Sequence, residues 1–130
     1  MDTMNKVLVV AENSFQLALM SDLLEANGLK TVRATTTKEA IDFAEDIQPQ
    51  MVVVDVALPR NGSSKVLERL RARRATLDIP VVAVADRTQE QEAQRVIDQC
   101  FTACVDKPIS TTGFTRSVMR EMHRYTCTRS

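Results

Sequence analysis

The chain has 130 residues, 44% hydrophobic and 26% charged, a length and composition that suit one domain with a buried core. Aromatics reach only 4% with no Trp, so that core must be aliphatic, and a formal net charge of zero argues against a nucleic-acid-binding chain. No apolar run can span a bilayer and Met1 to Lys6 lack the apolar core of a signal peptide, so no membrane insertion and a cytoplasmic location are expected.

Short apolar runs alternate with amphipathic stretches along the chain. Val7-Leu-Val-Val10 reads as a buried parallel strand. Asn13 or Ser14 then caps a helix from Phe15 to Asn27, with Gly28 at its C-terminus. Leu29 to Arg33 is a weaker strand. Thr36-x-x-Glu39 has the form of a capping box, opening a helix that runs to about Ile47 and stops ahead of Pro49. Met51 to Val56 is the most apolar strand. Ala57 to Gly62 is a loop, and Ser63 or Ser64 caps a helix to about Arg74. Val81 to Val84 is a fourth strand, followed by a helix from Thr88 to about Gln99. Thr102 to Asp106 is a short fifth strand. Ser110 or Thr111 opens a last helix to about Tyr125, and residues 126–130 form a polar tail expected to fray.

Five strand–helix repeats imply an α/β fold with a five-stranded parallel sheet, a doubly wound (βα)5 arrangement occupying residues 1–125. In such a sheet, chemistry lies outside the carboxyl ends of the strands. Those ends carry Glu12, Asp55, Ala85-Asp86 and Lys107. A carboxylate at the mouth of so apolar a strand as Met51 to Val56 is costly without partners. Glu12, Asp55 and Lys107 are expected to share one crevice. It could hold a hydrated Mg2+, or make Asp55 a phosphate acceptor with Lys107 neutralising the added charge. A purely structural Asp–Lys pair at the sheet edge is the alternative.

Four blocks sharpen this reading: Val9 to Asn13, Val53-Val-Asp-Val-Ala-Leu-Pro59, Asp78 to Ala83 and Asp106-Lys-Pro-Ile109. Together they resemble the receiver domain of two-component response regulators, with a flavodoxin/CheY-like fold, from about residue 5 to residue 124. The texture is similar to stand-alone receivers of the DivK and CheY kind. The resemblance implies Asp55 as phosphoacceptor and Lys107 as the lysine that senses the phosphoryl group. It also implies Pro108 as the proline that follows, and a histidine kinase or another signalling protein as partner.

The same resemblance exposes departures. The family carries two acidic residues after strand one to position Mg2+; here the pair is Ala11-Glu12, leaving Glu12 and Asp55 as candidate metal ligands. The hydroxyl residue that ends strand four is Ala85, which cannot donate a hydrogen bond. The switch aromatic of strand five is Cys104, and the usual Asp-Gly after the phosphorylation loop reads Gly62-Ser63. An atypical receiver that acts by contact, and not as an enzyme, is therefore favoured over a conventional phosphorelay receiver.

Arginines are the other feature. Residues 1–56 hold four basic and nine acidic side chains, and residues 57–130 hold thirteen and eight. Arg69, Arg71, Arg73 and Arg74 crowd the end of the third helix, where they complement the helix dipole. Arg116, Arg120 and Arg124 recur every four residues on one face of the last helix, and Arg87 and Arg95 lie on or near the fourth. Arginine forks suit phosphates and guanine edges. An arginine-rich subset of CheY-like regulators binds cyclic di-GMP, so these five arginines are candidate nucleotide ligands, with an ordinary solvated surface as the alternative. DNA is not expected as a partner, because no helix-turn-helix segment remains. The odd set Cys100, Cys104 and Cys127, with His123 the sole histidine, reads as reduced thiols and not as a metal or disulfide site.

Overall fold

The structure is a computed structural model and describes residues 6–99, 101–107, 109 and 113–129. Cys100, Pro108, Ser110, Thr111 and the side chains of Tyr125 and Cys127 lie outside the described residues. The chain order is β1 Lys6–Val10, α1 Ser14–Glu25, β2 Lys30–Ala34, α2 Thr37–Ile47, β3 Met51–Asp55, α3 Gly62–Arg71, β4 Val81–Ala85, α4 Glu90–Asp98, β5 Ala103–Asp106 and α5 Gly113–Arg129. The strands pair in parallel in the order β2-β1-β3-β4-β5. The five predicted strand–helix units are thus all present, and the sheet is doubly wound.

Strand alternation divides the core between the two faces. Val7 and Val9 of β1, Met51 and Val53 of β3, and Val82 and Val84 of β4 pack with Leu17, Met20 and Leu24 of α1 and Phe114, Val118 and Met122 of α5. Leu8, Val10, Val52, Val54 and Val81 face the other way, onto Ala40, Ile41 and Ala44 of α2 and Val66, Leu67 and Leu70 of α3. A smaller cluster of Val56, Ala83 and Ala85 lies under Val96 of α4. Each fully buried Val or Leu contributes about 1.5–3 kcal/mol, so an aliphatic core suffices. Counting forward from Met51 and Val53, Asp55 falls on the α1/α5 face, which decides the neighbours its carboxylate can meet.

Local chemistry adjusts several expected boundaries. The Thr36 hydroxyl accepts the Glu39 N–H at 3.1 Å as a capping box requires, but the Glu39 carboxylate reaches one residue further back, to the N–H and hydroxyl of Thr35 at 2.8 Å. That bonding, the Thr35 N–H above all, holds the Glu39 pKa below its ordinary value. Gln48 ends α2 in the left-handed region at φ 55°, immediately before Pro49.

α3 is capped by Asn61, not by Ser63 or Ser64. Ser63 is buried within it and donates to the Val56 carbonyl at 3.3 Å. α3 ends at Arg71, so Arg73 and Arg74 lie beyond it, and Arg73 pairs with Glu45 of α2. Thr88 does not start α4; its N–H closes onto Asp86 Oδ1 at 3.0 Å in a turn, and the helix begins at Glu90. α5 continues to Arg129, through most of the segment expected to fray. Among the described residues no helix is long and apolar enough to cross a membrane.

Candidate functional site

β3 delivers Asp55 to the carboxyl edge of the sheet, 5% exposed and buried among apolar strands. Both of its oxygens are engaged. Oδ1 accepts the Ala57 N–H at 2.9 Å and faces Lys107 Nζ at 2.8 Å. Oδ2 accepts the side-chain amide of Gln16, which projects from the first turn of α1 on the face where strand alternation places Asp55.

Lys107 follows β5, in register beyond the Ala85–Asp106 pair, and its N–H is tied to the Ala85 carbonyl at 3.0 Å. Its ammonium also meets Glu92 Oε1 at 3.1 Å. Glu92 is a buried residue of α4, and its other oxygen accepts the Asp86 N–H at 2.9 Å. Burial acts against the charge on Lys107. The hydrogen bonds and charges of Asp55, then of Glu92, outweigh it and raise the pKa above that of an ordinary lysine. One ammonium thus holds two carboxylates, and a continuous chain of contacts runs from Asp55 through Lys107 and Glu92, in the first turn of α4, to the Asp86 N–H just beyond β4.

The expected crevice of Glu12, Asp55 and Lys107 needs correcting. Asp55 and Lys107 do meet, but the second carboxylate is Glu92. Glu12 is exposed and lines a different cleft, between α2 and the β3–α3 loop. Neither Gln16 nor Glu92 was picked out by sequence. Glu92 stands in the run Glu90-Gln91-Glu92, where only the helix register distinguishes the buried acid from its solvated neighbours.

Mg2+ at such sites is held by one or two carboxylates and several waters. Ala11 offers no ligand, the Gln16 amide nitrogen is turned onto Asp55 Oδ2, and Oδ1 is shared by Lys107 and Ala57. As arranged, both Asp55 oxygens are engaged, and Gln16 must turn away before Oδ2 can face a cation.

Ala85 is fully buried, packed with Val56 and Ala83 in the cluster under α4. Cys104, partly buried, lies beside Arg87. The thiol, and then Asp106, raise the pKa of that guanidinium above its ordinary value. The five candidate nucleotide-binding arginines go separate ways. Arg87 Nε pairs with Asp106 at 2.9 Å. Arg95 reaches the Val56 carbonyl at 2.9 Å and walls an open groove with Glu92 and Lys107. Arg124 faces Glu121 at 3.5 Å. Arg116 and Arg120 are exposed on α5.

A doubly wound five-stranded sheet with an Asp–Lys pair at its carboxyl edge defines a signalling domain of the flavodoxin-like architecture, and the comparisons agree. Residues 7–118 match the response regulator receiver domain. The polar-differentiation response regulator DivK of Brucella ovis is 30% identical over 112 residues, which is 86% of this chain and 91% of DivK. In fold, the chemotaxis response regulator CheY4 of Vibrio cholerae superposes with a TM-score of 0.81 at 20% identity, over 92% of this chain and 99% of that one. The receiver domain of the sensor histidine kinase PA1611 of Pseudomonas aeruginosa, solved with a magnesium ion in its active-site cleft, does so with a TM-score of 0.82 at 16% identity, over 91% and 97%. The chain belongs to the response regulator receiver family.

Proposed function

We propose that this chain is an atypical receiver, one that takes a phosphoryl group slowly on Asp55 and acts by direct contact with another signalling protein, not by turnover of a substrate. The observation that carries this reading is the 2.8 Å approach of Lys107 Nζ to Asp55 Oδ1 at the mouth of β3. A carboxylate oxygen of Asp55 attacks the phosphorus of a phosphohistidine or a small phosphodonor. The new O–P bond forms as the donor's bond to phosphorus breaks, and the leaving group departs with that electron pair. Lys107 offsets the added negative charge. The reaction is slow because Asp55 already has three hydrogen-bonding partners, and Gln16 must leave before Oδ2 can react.

The signal takes a route other than the hydroxyl–aromatic pair, since Ala85 and Cys104 occupy those places. A phosphoryl group on Asp55 draws Lys107 toward itself and away from Glu92. Glu92 then loosens its hold on the Asp86 N–H, and the start of α4 is freed. A histidine kinase or a downstream signalling protein is the partner this predicts. Recognition of cyclic di-GMP through the arginines is the weaker reading, since Arg87 and Arg95 are held by Asp106 and the Val56 carbonyl.

Beryllofluoride with Mg2+ mimics the phosphoryl group and tests this reading by thermal shift. The wild-type chain should respond weakly and Ala11→Asp more strongly, because the substitution restores a missing carboxylate. A full-sized wild-type shift that Ala11→Asp does not increase would mean a conventional receiver instead.

A further inference from the structure

We propose that the cleft between the N-terminus of α2 and the β3–α3 loop binds a small organic phosphate of about mononucleotide size, at a site separate from the Asp55–Lys107 pair. The cleft has a volume of about 440 Å3, within the range of small-molecule sites. It lies outside the carboxyl ends of β2, β1 and β3, where the strand order reverses, the place at which open α/β sheets bind ligands.

Its charge is the first argument. Lys38, Arg60, Lys65 and Arg69 line it against the single carboxylate of Glu12. Lys38 faces Asp42 at 3.3 Å in an exposed pair, which is weak. Arg60, Lys65 and Arg69 have no ion-pair partner among the described residues, whereas Arg33, Arg73, Arg87 and Lys107 each face a carboxylate. Three unneutralised cations converging on one concave surface suit a dianion, and guanidinium forks match phosphate oxygens.

The walls supply the rest. Thr35, Thr36 and Thr37 line the α2 side of the cleft, where Thr36 and Glu39 already cap the helix and hold its first turn in place. Leu58 and Pro59 form an apolar wall against which a ring can lie. The loop that carries Arg60 is held in a strained form: Arg60 and Asn61 are successive non-glycine residues at φ 59° and 56°. Such strain persists where the surroundings impose it, and it concentrates at ligand sites. The surroundings here are tight. A Cβ at Gly62 would lie 2.7 Å from Leu58 and 3.0 Å from Thr37 Oγ1, so the start of α3 is packed onto the start of α2 and the two walls are fixed together.

Calorimetric titration of the full chain with pyrophosphate, AMP and GMP tests the proposal, with citrate as a polyanion that lacks phosphorus. At least one of the three phosphates should bind. Lys65→Ala with Arg69→Ala should weaken binding by about ten-fold or more. Asp55→Asn should bind as the wild type does, which separates this site from the acceptor. Arg60→Gly should bind more weakly yet melt at a higher temperature, because it removes a ligand and relieves the left-handed backbone. The proposal is overturned by silence with all three phosphates, by an equal response to citrate, or by unchanged affinity in the double variant. Loss of binding in Asp55→Asn would also overturn it, by placing the phosphate at the acceptor.

Discussion

Glu92 Oε1 lies 3.1 Å from Lys107 Nζ, so the ammonium that faces Asp55 is shared with a second buried carboxylate, brought in from α4. This pairing changes what Lys107 does at rest. It neutralises Asp55 and also fastens α4 to the mouth of β5.

Removing that ammonium leaves two carboxylates uncompensated in a confined space. Lys107→Met should destabilise the fold by about 2–4 kcal/mol, at the lower end because the side chain keeps some exposure. Glu92→Gln should cost about 1 kcal/mol, since the amide keeps the shape and one acceptor. Urea denaturation of the two single variants and the double variant checks this. The double should cost clearly less than the two singles added together.

The raised pKa of Lys107 sets a pH dependence. Folding lifts this lysine above its ordinary value of 10.5, so its contribution to stability is fully present below that pH and is lost as pH rises through the higher folded value. Urea midpoints of the wild type should therefore fall above pH 10.5 more steeply than those of Lys107→Met. Parallel curves would remove Lys107 as the cause.

How much of this was legible without coordinates follows from what each signal depends on. The strands were readable because runs such as Val7 to Val10 and Met51 to Val54 are apolar at every position, as burial on both faces demands. Asp55 and Lys107 stood out because a charge at the end of such a run has few structural excuses. Gln16 and Glu92 did not, because their roles depend on which side of a helix faces the pocket, and α4 offers Glu90, Gln91 and Glu92 in succession. Glu12 lines the cleft beside α2 for a related reason: adjacency of strand mouths does not fix where a long side chain turns. The α3 boundary was misplaced because Asn61 caps with its backbone in the left-handed region and makes no side-chain hydrogen bond, a geometry without a sequence signature of its own.

Two buried hydroxyls, Ser21 Oγ on α1 and Thr115 Oγ1 on α5, have no hydrogen-bond partner among the described residues. An unsatisfied buried hydroxyl is costly, so Ser21→Ala should stabilise the chain by about 1 kcal/mol, seen as a higher urea midpoint with unchanged slope. A loss of stability would show that the hydroxyl is satisfied in solution.

Gln16 caps one oxygen of the proposed acceptor. Gln16→Ala removes a hydrogen bond to a carboxylate, which stabilises the resting state, and should raise the rate of Asp55 phosphorylation by roughly ten-fold. A rate equal to that of the wild type would mean that the amide leaves Asp55 freely in solution.

The central claim is that Asp55 is a working, though closed, acceptor. Intact-protein mass spectrometry after incubation with acetyl phosphate and Mg2+ tests it most directly. The wild type should slowly accumulate a species carrying one added phosphoryl group, and Asp55→Asn should show none. A wild-type mass that never changes, or an equal gain in Asp55→Asn, would contradict it.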